Sequence, residues 1–335
     1  MQDTDYKGVN TLLRVYETKL LTRENYEQLL KANNLKEALE VLKSTDYHFD
    51  ENNVLDTKEY DDFLMNHLGN IYQELYEVTP DSEVIQFFTL RYSYHNLKVL
   101  LKQRFTGTDL EHLMIPIGKY PLSTLKNLVQ TQQSMQLNEI LVEGVQEAIQ
   151  DYEIYGRIEA ADVFMDTYYY KHLRAIAERL DNPTITKIID AMIDLDNLST
   201  VVRSLNRKKS RSFLHTVLSS SGTIPKSDII DAAAGGAIAV LNDLYMDKSY
   251  SSHLHQIVNE SKDAINPMKL DKLIEQIVHE LMEEGLYQAF GPMPVMAYMF
   301  AKEKEITNIR LLLVGKDNQI AENILRERMR PIYGS

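Results

Sequence analysis

Histidines and carboxylates at helical spacing are where hydrolytic or metal chemistry would sit in this chain. His279-Glu280 with Glu283 and Glu284 has the outline of a zinc-binding helix but lacks a second histidine one turn on, and a solvated acidic face accounts for it. His253 and His255 stand two residues apart, which sends them to different sides of a helix and makes them poor chelators. Asp61-Asp62 would begin the magnesium site of an isoprenoid-diphosphate enzyme, yet Phe-Leu-Met follows and the third aspartate a turn later is missing. Gly315-Lys316-Asp317 has neither the upstream glycine nor the hydroxyl of a phosphate-cradling loop, and Gly235-Gly236 has no lysine near it. The chain has no cysteine, which removes thiolate nucleophiles, disulfides and cysteine-ligated metals. No set completes a catalytic, nucleotide, metal or cofactor site, so the chain reads as a non-enzyme without a cofactor.

Positive charge is patterned more distinctly. Lys98, Lys102 and Arg104 follow Asn96-Leu97; Arg203, Arg207, Lys208, Lys209 and Arg211 follow Asn197-Leu198; Arg310 and Lys316 follow Asn308-Ile309. Cations near a helix carboxyl end are stabilised by its dipole by ~0.3–1 kcal/mol and need no partner for that. The other reading is a docking surface for an acidic partner, supported by five positive charges within residues 203–211 of a chain whose net charge is −13. That net charge argues against nucleic-acid binding and would repel an anionic lipid surface, so membrane contact would pass through another protein. The tyrosine clusters, such as Tyr168-Tyr169-Tyr170, suit helix packing with the hydroxyl reaching water or backbone.

The elements that must position these residues are helices. Tyr60, Phe63, Leu64, Leu68, Ile71, Tyr72, Leu75 and Tyr76 form one apolar stripe, and Leu270, Leu273, Ile274, Ile277, Val278, Leu281 and Met282 form another. Residues 138–180 read as one long helix or as two joined near Gly156. Thr22 with Glu24 and Asn25, and the prolines Pro80, Pro183, Pro225 and Pro267, supply helix-start chemistry. No alternating strand pattern is visible, so the fold is read as all-α. The apolar runs 232–241 and 293–301 are about ten residues each, far short of the ~20 a spanning helix needs, and the first ten residues carry no secretory pattern.

The helices repeat. Asn96, Asn197 and Asn308 lie 101 and 111 residues apart in similar segments, and Thr22 to Phe63 matches Ser123 to Phe164 in length. The third copy is looser, with Ser227 at the cap position and Gly291-Pro292-Met293-Pro294 inserted. Turn-rich stretches at 107–118 and 219–225 divide the chain into three helical units, 1–112, 113–222 and 223–335, too closely joined to be beads on a tether.

The segments RYSYHNLKVLLKQRF, VFMDTYYYKHL before DLDNLSTVVRSL, ITNIRLLLVGK and ENILRERMRPIY, in this order and spacing, are similar to the family of V-type ATPase C subunits, called d subunits in eukaryotes, in its compact bacterial and archaeal form. The resemblance implies a pseudo-three-fold funnel of three tandem helical units and a non-catalytic rotor subunit. Such a protein couples the central shaft, built from the D and F subunits of the central stalk, to the membrane proteolipid ring during ATP-driven proton or sodium transport. It implies no direct nucleotide contact, a peripheral position on the cytoplasmic face, and membrane contact through the ring only. Under this reading Lys98, Lys102, Arg203, Arg207, Lys208, Lys209 and Arg310 are the shaft-binding candidates, and Met293, Met296 and Phe300 the ring-binding ones. The alternative is an all-α protein-binding scaffold outside any rotary machine, although a solenoid would repeat at about 33–47 residues rather than ~100.

Overall fold

Capping side chains decide where the helices begin. Thr22 accepts the Asn25 amide at 3.2 Å while the Asn25 side chain accepts the Thr22 amide at 2.9 Å, a reciprocal capping box. Asn34, Asp50, Asn138, Asn182 and Ser210 cap later helices through their side-chain oxygens, and Pro183 occupies a first turn.

The computed structural model describes residues 3–260, 264–283, 288 and 290–332, with the side chains of 258–260 excepted; every regular element among them is helical. In chain order these are α1 (Lys7–Glu17), α2 (Arg23–Lys31), α3 (Leu35–Lys43), α4 (Glu51–Thr57), α5 (Tyr60–Val78), α6 (Ser82–Thr106), α7 (Leu122–Thr131), α8 (Glu139–Tyr155), α9 (Ala160–Leu180), α10 (Pro183–Asn206), α11 (Arg211–Val217), α12 (Lys226–Ala232), α13 (Ala237–Leu244), α14 (Ser251–Glu260), α15 (Pro267–Glu283), α16 (Met293–Asp317) and α17 (Glu322–Arg328). The 138–180 stretch is two helices, because Gly156 takes a left-handed φ of 66° and reverses the chain. No described helix is long and apolar enough to cross a membrane.

Contacts divide the chain into two compact units, Met1–Phe88 with Met282–Ser335, and Thr89–Leu281. In the first, α16 packs on α1, α3 and α5, and α17 packs on α2 and α16. Residues 293–302 of α16 are buried on every side, so this largely apolar stretch has no solvent face at all. The α5 stripe meets it through Leu64, Leu68, Tyr72 and Leu75, all at or below 2% exposure. In the second unit α8 and α9 form an antiparallel pair in which Gly144 lets the backbone close on the Tyr168 ring; a Cβ there would lie 2.7 Å from Tyr168 Cγ. Helix α10 packs on α9 and α13, and α11 bridges α9, α10 and α12.

Three helices are nearly equal in length: α6 has 25 residues, α10 has 24 and α16 has 25. Each carries one of the repeated asparagines in its interior.

Candidate partner-docking surface

Asparagine is a poor interior helix residue because its amide competes for backbone hydrogen bonds, and here that capacity is used. Asn96 donates from Nδ2 to the Ile115 carbonyl at 2.7 Å and accepts the Ile115 amide at 2.8 Å. Asn197 makes the same pair with Ser219 at 3.0 and 2.8 Å, and Asn308 with Arg330 at 3.1 and 2.8 Å. All three side chains are 1% exposed. Each long helix therefore holds the peptide of the segment that follows it through a two-bond clamp.

The recurrence extends along the helix. Eleven residues after each asparagine the chain turns with a left-handed φ, at Gly107 (69°), Lys208 (53°) and Gln319 (56°). Three residues before each asparagine stands a buried polar side chain: Ser93, Asp194 and Glu305. Asp194 accepts the Thr223 amide at 2.8 Å and the Thr223 hydroxyl, with Lys248 Nζ at 3.5 Å. Glu305 accepts the Leu21 amide at 2.5 Å, the Tyr47 hydroxyl at 2.7 Å and Lys302 Nζ at 2.7 Å, with Lys302 itself 1% exposed. Ser93 instead lies against Gly118. The two carboxylates thus bind the chain where it leads into a group of short helices. Burial first and then Glu305 hold the Tyr47 hydroxyl well above its ordinary range, while burial and then Lys302 push the neighbouring His67 imidazole down to about 4. These two acids escaped the sequence reading; aligning the copies on the asparagine, as YSYHN, DLDN and KEITN, would have displayed a polar residue at the same offset each time.

The shaft-binding candidates separate into two groups. Lys98 pairs with Asp166 at 2.5 Å, Lys102 with Asp162 at 2.8 Å, Arg203 with Asp271 at 2.5 Å and Arg310 with Asp61 at 2.6 Å, each inside its own unit. Asp61 and Asp162 are 101 residues apart, so the aspartate recurs with the chain, while its partners Arg310 and Lys102 stand at different offsets from their asparagines. The recurrence of positive charge after each asparagine is in these four cases an internal tie between a long helix and its neighbour. Exposed pairs of this kind contribute about 0–1 kcal/mol each. Arg207, Lys208 and Lys209 are exposed and have no carboxylate partner among the described residues. Of the ring-binding candidates, Met293 and Met296 are 0% exposed and Phe300 is 9% exposed with Lys304 Nζ 5.2 Å from its ring centre. In this conformation all three side chains serve the packing of α16 rather than an outer face.

Other sequence candidates carry simple structural roles. His253 meets Glu280 at 2.9 Å, Gly236 starts α13 with φ 92°, Lys316 is buried with Nζ on the Leu30 carbonyl at 2.5 Å, and Glu284 lies outside the described residues. Among the described residues no group of three or more His, Cys, Asp or Glu side chains is placed to hold a metal ion.

Residues 9–328, which run from α1 to α17 and include Asn96, Asn197 and Asn308, match the model of the ATP synthase (C/AC39) subunit. The chain belongs to the ATP synthase (C/AC39) subunit family. This family member is 33% identical over 329 residues to the V-type sodium ATPase C subunit of Enterococcus hirae, covering 98% of this chain and 99% of that one. It is 25% identical to the A-type ATP synthase C subunit of Methanocaldococcus jannaschii, covering 98% and 86%, and 22% identical to that of Pyrococcus furiosus, covering 99% and 90%. The family resemblance drawn from the order of its segments is therefore correct, and it reaches from the first α-helix to the last.

Proposed function

We propose that this chain is a non-catalytic rotor subunit of a V-type ATPase, coupling the central shaft to the proteolipid ring during ATP-driven ion transport. The observation that carries the proposal is the full-length similarity to the C subunit of a V-type sodium ATPase. On this reading it contacts the D and F subunits above and the ring below, and lies peripherally on the cytoplasmic face. The units 1–112, 113–222 and 223–335 close around an axis as a pseudo-three-fold funnel.

The recurring joints support this reading on mechanical grounds. Moving one charge against 100 mV takes about 2.3 kcal/mol, so the few ions moved per ATP load the rotor with an energy near the ~5–15 kcal/mol that keeps a domain folded. A connector survives such loading by sharing it. Three equivalent two-bond clamps, two of them backed by buried carboxylates, spread strain over separate joints.

Reconstitution tests the proposal. Vesicles holding the complete complex should couple ATP hydrolysis to ion uptake. The same complex assembled without this chain should still hydrolyse ATP while transporting no ions. Undiminished transport in its absence would refute the reading.

A further inference from the structure

Of the three cations without a carboxylate, the middle one, Lys208, sits where the backbone itself is unfavourable. At the end of α10 the Lys208 amide donates to the Leu205 carbonyl and the Lys209 amide to the Ser204 carbonyl, which makes Lys208 the left-handed residue of a Schellman cap. Glycine is the ordinary occupant, because a side chain at positive φ meets the following carbonyl. The equivalent turn after α6 uses glycine, at Gly107, and that after α16 uses the uncharged Gln319, so of the three only 208 carries a charge. Lysine at 208 therefore maintains a projecting charge at a position where glycine folds more easily.

Apolar surface lies beside that charge. Lys209 Nζ rests 5.1 Å from the centre of the Phe213 ring, which is 37% exposed. On the other side Asn206 Nδ2 donates to the Ile265 carbonyl, bringing in the start of α15, where Met268 is 79% exposed. Cations around an exposed aromatic and a methionine are the composition of a protein interface, apolar anchors within a charged rim. A chain of net charge −13 would repel most anionic surfaces, so attraction has to be local and directed at a matching partner.

We propose that this end of α10, formed by Arg207, Lys208, Lys209, Phe213 and Met268, is a docking surface for an acidic protein segment that places an apolar side chain among its carboxylates. Resting on the rotor reading above, the segment belongs to the central shaft. Of the seven cations, these three bind the partner and the other four hold the chain to itself.

The experiment titrates the full-length chain against the purified shaft pair, the D and F subunits, across a salt series, with the purified ring, anionic phosphatidylglycerol vesicles and single-stranded DNA as separate arms. Lys208→Gly should weaken shaft binding about threefold without lowering the melting temperature, since it removes charge and relieves the backbone together. The triple variant Arg207→Gln, Lys208→Gly, Lys209→Gln should lose at least about tenfold and flatten the salt dependence, because exposed charges are screened beyond ~8 Å at physiological ionic strength. Phe213→Ala with Met268→Ala should weaken shaft binding while leaving the salt slope unchanged. Ring binding should stay the same throughout. Unaltered shaft affinity in the triple variant would overturn the docking proposal alone, as would a loss confined to vesicles, DNA or the ring. A wild-type chain that fails to bind the shaft would overturn the rotor reading along with it.

Discussion

The three asparagine clamps are chemically alike but differently buried, and this difference sets what each is worth. Asn197→Ala deletes both hydrogen bonds to Ser219, a residue only 4% exposed, and leaves its amide and carbonyl without partners. An orphaned buried polar group costs about 1–3 kcal/mol, so two cost roughly 2–6 kcal/mol. At Asn96 and Asn308 the clamped residues, Ile115 and Arg330, are half-buried, and water can replace part of what the amide provided. For domains of 150–250 residues about 1 kcal/mol moves the melting temperature by roughly 2–4 °C. A loss near 3 kcal/mol at Asn197 therefore corresponds to about 6–12 °C. Differential scanning calorimetry of the three alanine variants should rank Asn197 worst, and hydrogen exchange should show the Ser219 amide losing protection in that variant. An Asn197→Ala protein that melts no lower than the other two, or whose Ser219 amide stays protected, would refute the clamp as the joint.

Further outcomes follow from buried groups elsewhere. Lys302→Ala strands the Glu305 carboxylate and should cost about 3–5 kcal/mol, whereas Lys302→Met combined with Glu305→Gln should cost less than the single change; urea midpoints decide between them. Gly144→Ala should destabilise by about 1–3 kcal/mol because its methyl meets the Tyr168 ring, while Gly8→Ala, with open space around it, should be neutral or slightly stabilising in the same melts. His172 is 2% exposed beside the Tyr94 hydroxyl, and burial first, with Lys119 second, pushes its imidazole down to about 4. The unfolded chain then binds the extra proton, so the stability from keeping this ring neutral is present above pH ~6.5 and is lost as pH falls toward 4. His172→Phe should accordingly lose less stability between pH 7 and pH 5 than the parent protein does; an equal loss in both would show that His172 has no part in it.

Local chemistry was readable along the chain. The Thr22 capping box, the proline at the start of α10 and the apolar stripe of α5 depend on neighbours within a few residues, and each stands where the residue types placed it, while the break at Gly156 is one of the two readings the sequence left open. So was the recurrence of Asn96, Asn197 and Asn308, because a polar residue in the middle of an apolar helix needs a reason, and one that returns needs the same reason each time.

Partnership across the sequence was not readable. The cations after each asparagine looked alike as residue types, yet Lys98, Lys102, Arg203 and Arg310 each find an aspartate on another helix while residues 207–209 do not. Met293, Met296 and Phe300 are buried in a helix packed by α1, α3 and α5, a burial that no local pattern announced. Glu305 binds Leu21 across 284 residues, and nothing in the neighbourhood of either announces the other. Composition and periodicity determined that the chain would be helical and would repeat, because helices answer to contacts three and four residues away. Which charges remain free to meet a partner was decided only by tertiary structure, since an ion pair depends on distance in space and not along the chain.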